Sequence, residues 1–313
     1  MFSRKNIKAM PNTTSATDHS GNRKYILTEE QMKFFDENGY IVIKDLIEGP
    51  LLESYKKRFS DICRGNLLSV NAVKDYALMK KKSNPEDYIY KIQDILDDEV
   101  YMTYSENPKL LDIVAQFIGS DILAVNLMLI NKPPECSRHP THQDLFYFPF
   151  RPVEKIIGVW TAIDPTTIPN GCLYAVPGSH KCNDLLNHVL FKDSKKFFHC
   201  LDNEDTLAPP EKRLNLEMQP GDTIFFHPYL FHGSGPNLTG SYRKALTIHY
   251  AASDVYYINP MDTVQREMAE YFTAELKKRG LDGMRYEDIW KLKIKPVRGA
   301  KSHLNKHTQQ SHT

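Results

Sequence analysis

The sequence lacks the features of a secreted, membrane-spanning or nucleic-acid-binding protein. Its five cysteines are scattered through 313 residues without a Cys-x-x-Cys pair, so we expect free thiols in a reducing compartment and no thiolate zinc site. No apolar run reaches the roughly 18 residues of a membrane helix, and the N-terminus lacks the apolar core of a signal peptide. The net charge of +1, with both signs interspersed, argues against a nucleic-acid binder.

The composition changes at both ends of the chain. Residues 1–22 are polar with few apolar side chains, and they predict a disordered N-terminal tail. Residues 299–313 have the same character and predict a disordered basic tail. Between them, 41% hydrophobic residues overall suffice for one large domain, which we place at 23–298.

The order of local patterns favours a barrel. Before residue 121, a capping box at Thr28-x-x-Gln31 and apolar spacing at 51–64 and 108–118 predict helices, with a short strand at 40–43. Short β-branched runs separated by Pro and Gly turns then predict strands, and helical spacing returns beyond residue 260. These predicted strands lie at 122–130, 156–163, 171–176, 222–231 and 244–251. The expected fold is mainly β with flanking helices, a double-stranded β-helix (jelly-roll or cupin-like barrel).

Three residues form a candidate metal site. His142 and Asp144 are spaced so that they would share one face of a strand, and His232 could add a second imidazole from a distant strand. Two histidines and one carboxylate with open positions are the arrangement of non-haem Fe(II) oxygenases. A lone His-x-Asp also arises by chance. The spacing of His139 from His142 would place it on the opposite face of a strand, so it is assigned to packing or a surface hydrogen bond. His227 is the alternative to His232 as the third metal ligand.

Arg243 is the second candidate functional residue. On the predicted strand that follows it, Arg243, Thr247 and His249 share one face, while the opposite face is apolar. A buried guanidinium needs a carboxylate partner, and a 2-oxo acid bound to the metal could provide one, with Ser234 as a hydroxyl donor. The alternative is an exposed arginine at a sheet edge.

Six longer sequence blocks resemble the phytanoyl-CoA dioxygenase (phytanoyl-CoA 2-hydroxylase) family of Fe(II)/2-oxoglutarate oxygenases. The likeness spans roughly Thr28 to Arg298. Its blocks are MLINKPP (128–134), SRHPTHQDLFYFPFRP (137–152), WTAID (160–164), NGCLYAVPGSHK (170–181), GDTIFFHPYLFHGSG (221–235) and YRKALTIHYAAS (242–253).

The resemblance implies a set of site residues and co-substrates. It places the iron ligands at His142, Asp144 and His232. It places the 2-oxoglutarate contacts, in chain order, at Lys91, Met128, Trp160, Ser234 and Arg243. Without it, Lys91 would be a surface lysine, and Met128 and Trp160 would be core residues. Fe(II), 2-oxoglutarate and dioxygen would be required, with ascorbate as the reductant.

The resemblance also implies a reaction. The expected substrate is a branched, 3-methyl fatty acyl-CoA such as phytanoyl-CoA, hydroxylated at carbon 2 with release of succinate and CO2. Several Lys and Arg residues, Lys132 and Arg151 among them, are candidates for contacts with CoA phosphates. The alternatives are a family member that acts on a different, non-CoA small molecule and a non-catalytic cupin-like binding protein. We expect neither a nucleic-acid partner nor a membrane span, and the sequence indicates no protein partner. The resemblance favours a peroxisomal location, with the cytoplasm as the alternative.

Overall fold

The computed structural model describes residues 14–17, 23–65, 70–191, 198–278, 280–281 and 283–299. Its strands, β1 to β18 in chain order, are Thr14–Thr17, Arg23–Ile26, Tyr40–Ile43, Asn71–Lys74, Ile89–Gln93, Ile122–Lys132, His139–His142, Phe150–Arg151, Ile156–Ala162, Leu173–Ala175, His188–Leu190, His199–Leu201, Leu214–Leu216, Thr223–Phe226, His232–Ser234, Arg243–Ala252, Tyr256–Tyr257 and Ile294–Arg298. Its helices, α1 to α8, are Glu29–Asn38, Gly49–Gly65, Tyr76–Met79, Glu99–Ser105, Pro108–Ile118, Glu204–Leu207, Arg266–Lys278 and Tyr286–Lys291.

The N-terminal helices follow from local sequence signals. The Thr28 side chain accepts from the backbone of Gln31, and the Gln31 side chain accepts from the backbone of Thr28, so the predicted capping box is confirmed. Helix α1 ends at Gly39, whose left-handed backbone (φ 78°) a glycine adopts without steric cost. Helix α5, predicted from apolar spacing at 108–118, begins with Pro108 and is capped by Asn107.

The larger sheet forms the centre of the fold. Its antiparallel strands are ordered β3-β14-β9-β16-β6-β5-β4, and β18 also pairs with β6. One face packs against helices α2, α4 and α5. Helix α5 contributes five buried side chains to this core, each worth roughly 1.5–3 kcal/mol over exposure. They are Leu110, Leu111, Ile113, Val114 and Ile118.

The smaller antiparallel sheet has the order β13-β10-β15-β7 and faces the other side of the larger sheet. Side chains from both sheets line one cavity of about 450 Å³. Two facing antiparallel sheets with helices outside them form a jelly-roll barrel, so the predicted fold class is confirmed. No helix within the described residues is long and apolar enough to cross a membrane.

Some predicted boundaries differ from the structure. The strand predicted at 222–231 ends at Phe226, because Pro228 has no backbone N–H for a ladder, and residues 227–230 form a turn closed by the Leu230 N–H. Thr14–Thr17, within the predicted tail 1–22, pairs with β2, so folded chain begins earlier than expected. Residues 1–13 and 18–22 of that tail, and 300–313 of the C-terminal one, lie outside the described residues.

Candidate active site

His142, Asp144 and His232 meet at one edge of the smaller sheet. His142 is the last residue of β7, and it lies opposite His232, the first residue of β15. Asp144 opens a 3-10 helix, so the prediction that it shares a strand with His142 is wrong. The strand ends because the backbone N–H of Gln143 donates to the His188 ring rather than to a neighbouring strand.

The three side chains are spaced as metal ligands. One ligand atom from each lies within 4.8 Å of the other two. Asp144 Oδ1 is 3.1 Å from His142 Nε2 and 3.6 Å from His232 Nε2. Adjacent ligands of a first-row ion with bonds of roughly 2.1 Å lie about 3 Å apart. The group therefore fits a divalent metal ion, and three protein ligands leave positions open.

Backbone carbonyls orient both imidazoles in the same way. His142 Nδ1 lies 3.0 Å from Pro140 O, and His232 Nδ1 lies 3.0 Å from Leu230 O. A carbonyl oxygen can only accept, so in each neutral ring Nδ1 carries the hydrogen. The lone pair is then on Nε2, the atom that faces Asp144.

The charge states also suit a metal site. Burial alone would raise the pKa of the Asp144 carboxyl, but the neighbouring imidazoles of His232, His249 and His142 hold that pKa well below its usual range. Burial lowers the pKa of His232 to about 4, against the opposing effect of Asp144. At neutral pH the cluster therefore offers a carboxylate and an unprotonated His232 ring.

Arg243 lies inside the barrel. It is 1% exposed, and its strand presents Arg243, Thr247 and His249 to the cavity as the parity predicts. The alternative of an exposed edge arginine is wrong. Burial lowers the pKa of its guanidinium. Within the described residues, neither Nε nor Nη1 has a hydrogen-bond partner, and no carboxylate forms an ion pair with Arg243. A buried cation without an ion-pair partner is costly, so this part of the cavity suits an anion.

Other donors face the same space. The indole Nε1 of Trp160 is buried without a partner within the described residues, and the Arg243 guanidinium lies 5.5 Å over the Trp160 ring. Ser234, two residues after His232, also lines the cavity. These groups offer N–H and O–H hydrogens to an oxygen-rich ligand, which is the donor set that 2-oxoglutarate needs.

Lys91 and Met128 lie on the neighbouring strands β5 and β6 and line the cavity too. Lys91 Nζ is 3.6 Å from Met128 Sδ. Burial lowers the pKa of Lys91 to about 8, with Lys293 acting in the same direction. The surface position that its local sequence favours is therefore wrong, and the structure gathers all residues of the predicted site around one cavity.

Three other sequence-based assignments have clear outcomes. His139 packs against the rings of His142 and Phe198, at 4.4 and 4.3 Å, so the predicted packing role is confirmed, although its ring also lines the cavity. His227 lies beside His180 and is not part of the metal group. Lys132 is fully buried, so its assignment to CoA phosphates on the surface is wrong.

The cavity extends beyond the metal group to an apolar wall. Helices α7 and α8 supply this wall, in the region beyond residue 260 where the sequence predicted helical spacing. The C-terminal wall comprises Met268, Tyr271, Phe272, Tyr286, Ile289 and Trp290. A cavity of about 450 Å³ exceeds what a five-carbon dicarboxylate fills, so it leaves space for a second, apolar molecule.

The sequence comparisons identify one family. The sequence model of the family Phytanoyl-CoA dioxygenase (PhyH) matches residues 35–245. A probable phytanoyl-CoA dioxygenase of Caenorhabditis elegans is 41% identical over 302 residues, covering 89% of this chain and 96% of that protein. The peroxisomal phytanoyl-CoA dioxygenase of Homo sapiens is 38% identical over 298 residues, covering 89% and 85%. EctD from S. alaskensis, solved with 2-oxoglutarate and 5-hydroxyectoine, has a TM-score of 0.59 at 20% identity over 76% of this chain and 80% of that one, a likeness of fold alone.

Proposed function

The chain belongs to the phytanoyl-CoA dioxygenase family and is a 2-oxoglutarate-dependent dioxygenase, and we propose that it hydroxylates a branched, 3-methyl fatty acyl-CoA at carbon 2. Phytanoyl-CoA is the expected example. The single observation that carries the proposal is the apolar C-terminal wall, which lines the same cavity as Arg243 and the His142, Asp144 and His232 group.

Each site residue has a proposed role. His142, Asp144 and His232 would hold Fe(II) through two Nε2 atoms and one carboxylate oxygen. Arg243 would bind the carboxylate of 2-oxoglutarate that is remote from the 2-oxo group, because its planar fork suits a carboxylate. The co-substrate contacts would be completed by Ser234, Trp160, Lys91 and Met128.

Bound iron and 2-oxoglutarate would supply the oxidation, in which dioxygen and the co-substrate give hydroxylated product, succinate and CO2. The protein's own part is orientation and exclusion of water. The hydrogen bonds at His142 Nδ1 and His232 Nδ1 fix both rings before the metal arrives. Phe148 and Trp290, both buried, line the cavity and pack edge to face at 4.9 Å.

The C-terminal wall supports a lipid substrate rather than a small polar one. Its aromatic and aliphatic side chains can bury an apolar chain, with about 0.8 kcal/mol gained for each CH2 group removed from water. The alternative, a different, non-CoA small molecule, would fit this wall only if it were itself apolar.

A panel of substrates tests the proposal. Protein loaded with Fe(II), 2-oxoglutarate and ascorbate would be given phytanoyl-CoA, a straight-chain acyl-CoA and phytanic acid, and succinate and product mass would be measured. We expect a gain of one oxygen in the phytanoyl-CoA product, matched by succinate. Succinate formed without any acyl product would favour the non-CoA substrate, and the absence of iron-dependent turnover would favour a binding protein.

A pair of variants on α8 tests the wall. Ile289→Trp would fill the cavity and raise the KM for the acyl-CoA at least several-fold, while the affinity for 2-oxoglutarate stays the same. Lys291→Trp is the matched control, because it lies on the same helix with its side chain exposed. Equal effects of the two variants on the acyl-CoA KM would contradict a role for the wall in substrate binding.

The proposed location is the peroxisome, on the strength of the peroxisomal relative. Imaging of the full chain with fluorescent tags at either end, beside a peroxisomal marker, tests it. A diffuse signal with both tags would favour the cytoplasm.

A further inference from the structure

Lys132 is a second buried cation beside Arg243. It is the last residue of β6, is 0% exposed, and lies directly opposite Arg243 in the antiparallel register of β6 and β16. Directly opposed residues share one face of a sheet, and like charges in that position repel each other. Two basic side chains therefore lie together on one face of the sheet.

The contacts of Lys132 determine the orientation of the Ser234 hydroxyl group. Lys132 Nζ donates to Ser234 Oγ at 2.9 Å, to Ser137 O at 3.3 Å and to Gly235 O. An ammonium group has only hydrogens to give, so Ser234 Oγ must be the acceptor. The hydroxyl hydrogen then points elsewhere, and within the described residues it has no acceptor. Since Ser234 lines the cavity, that hydrogen is available to a ligand there.

The surrounding backbone holds Lys132 in place. A Cβ atom on Gly171 would lie 2.9 Å from Lys132 Cδ and 2.4 Å from Gly235 O, so only glycine allows this close approach. The Asn237 side chain donates to the Lys132 carbonyl at 2.9 Å. Such confinement of a long side chain serves to fix the position of its ammonium group.

We propose that Lys132 is a positioning residue for the dicarboxylate co-substrate. By donating to Ser234 Oγ it directs the serine hydroxyl hydrogen into the cavity, where this hydrogen and Arg243 bind the carboxylate remote from the 2-oxo group. This inference rests on the proposed binding of 2-oxoglutarate, and it assigns Lys132 no contact with the metal or with the acyl substrate.

The test compares two ligands that differ in one carboxylate. Binding of 2-oxoglutarate and of 2-oxobutyrate, which lacks the remote carboxylate, would be measured calorimetrically with Mn(II) in place of iron. In Lys132→Met we expect 2-oxoglutarate to bind about tenfold or more weakly, the loss typical of one charge-assisted hydrogen bond. Binding of 2-oxobutyrate should change less than about twofold. Equal weakening of both ligands, or unchanged binding of 2-oxoglutarate, would overturn the proposal.

A double-mutant cycle tests whether Lys132 acts through Ser234. Ser234→Ala should weaken 2-oxoglutarate binding about tenfold in the native protein and less than about twofold in Lys132→Met, because the hydroxyl is no longer oriented there. If the double variant lost 2-oxoglutarate affinity by the product of the two single-variant losses, the two residues would act independently, and the proposal would be overturned.

Two further variants separate this role from a structural one. Lys132→Gln keeps a donor for Ser234 Oγ without the charge, so its loss of affinity should be smaller than that of Lys132→Met. Lys244→Gln removes a different buried lysine, the residue after Arg243, whose Nζ lies 3.6 Å from Glu86. This variant should leave the ratio of the affinities for 2-oxoglutarate and 2-oxobutyrate unchanged. If both Lys132 variants fail to fold while Lys244→Gln folds, the lysine serves the fold and the proposal is overturned. Failure of the native protein to bind 2-oxoglutarate would instead refute the proposed function.

Discussion

His249 donates a hydrogen bond of 2.7 Å from Nε2 to Oδ2 of Asp144, while Oδ1 of the same carboxylate faces His142 and His232. Oδ2 is therefore used for a hydrogen bond, and Oδ1 faces the other two residues of the metal group. Because a carboxylate can only accept, Nε2 of His249 carries a hydrogen and cannot bind a metal ion. His249 therefore holds Asp144 in the orientation in which one oxygen is free for the metal.

Removal of this hydrogen bond should weaken metal binding without removing a ligand. In His249→Leu we expect the affinity for Mn(II), measured by electron paramagnetic resonance titration, to fall about 10–100-fold, the range typical of partners that orient ligands. His227→Leu is the control, since it removes a half-buried histidine outside the metal group. A Mn(II) affinity in His249→Leu equal to that of the control would show that Asp144 needs no such support.

Arg243→Ala separates co-substrate binding from metal binding. We expect the KM for 2-oxoglutarate to rise about 10–100-fold, because a charge-assisted hydrogen bond contributes roughly 1.5–3 kcal/mol. Mn(II) affinity should stay the same, because no atom of Arg243 belongs to the metal group. Normal affinity for 2-oxoglutarate in this variant would refute the role of the arginine.

Asp144→Ala is expected to abolish hydroxylation. The substitution removes the only carboxylate of the metal group found within the described residues. Product formation and Mn(II) binding would both be measured, and circular dichroism would check the fold. Full retained activity would exclude Asp144 as a required ligand.

The parts of the site that the sequence predicts are those set by local pattern. The parity of β16 placed Arg243 and His249 on the polar face because side-chain direction alternates along any regular strand. The direction of the Asp144 side chain could not be predicted from alternation along a strand. A contact of Gln143 with His188, 45 residues away in sequence, ends the strand before it.

Lys91 and Trp160 show the limit of reading from single residues. Their neighbours along the chain are ordinary for a strand, and nothing local indicates that they border a cavity. They do so because β5 and β9 lie in one sheet with β6 and β16, and this pairing of distant segments is set by the whole core. Only the family resemblance identified them.

The lowered pKa of Lys91 predicts that co-substrate binding depends on pH. With a pKa of about 8, the ammonium is present below that pH and is lost as the pH rises through it. Lys293, Asp94 and Asp144 are the charged groups that act on it. We expect 2-oxoglutarate affinity to fall as the pH rises from about 7 to 9.

Lys91→Arg gives the matched comparison, because a guanidinium stays charged over this range. Calorimetric titrations at several pH values, with Mn(II) in place of iron, should give a flat profile for that variant. An equally steep profile in both proteins would assign the pH dependence to another group.

The last prediction concerns the support of β7, the strand that ends at His142. Glu204 accepts two hydrogen bonds from Arg138, at 2.8 and 3.0 Å, and two from Thr141, at 2.9 Å from its backbone and 2.7 Å from its hydroxyl. Burial alone would raise the pKa of Glu204, but the bonds from Arg138 and Thr141 lower it to about 2. The carboxylate thus ties the residue before His142 to a distant helix.

Glu204→Gln should lower the free energy of unfolding by about 1–2 kcal/mol, because the buried carboxylate loses its ion pair with Arg138, whose side chain is 35% exposed and partly screened by solvent. The pKa of Glu204 is lower in the folded protein than its ordinary value of 4.5. The carboxylate therefore stabilises the folded state fully above pH 4.5, and this stabilisation is lost as the pH falls towards 2. Urea unfolding at pH 7 and at pH 4 should therefore show a smaller difference between variant and native protein at the lower pH. Asp61→Asn, which breaks an exposed pair with Lys57, should change little at either pH. A difference for Glu204→Gln that did not shrink on acidification would mean that the amide disturbs packing, and that the charge of Glu204 is not what holds this strand.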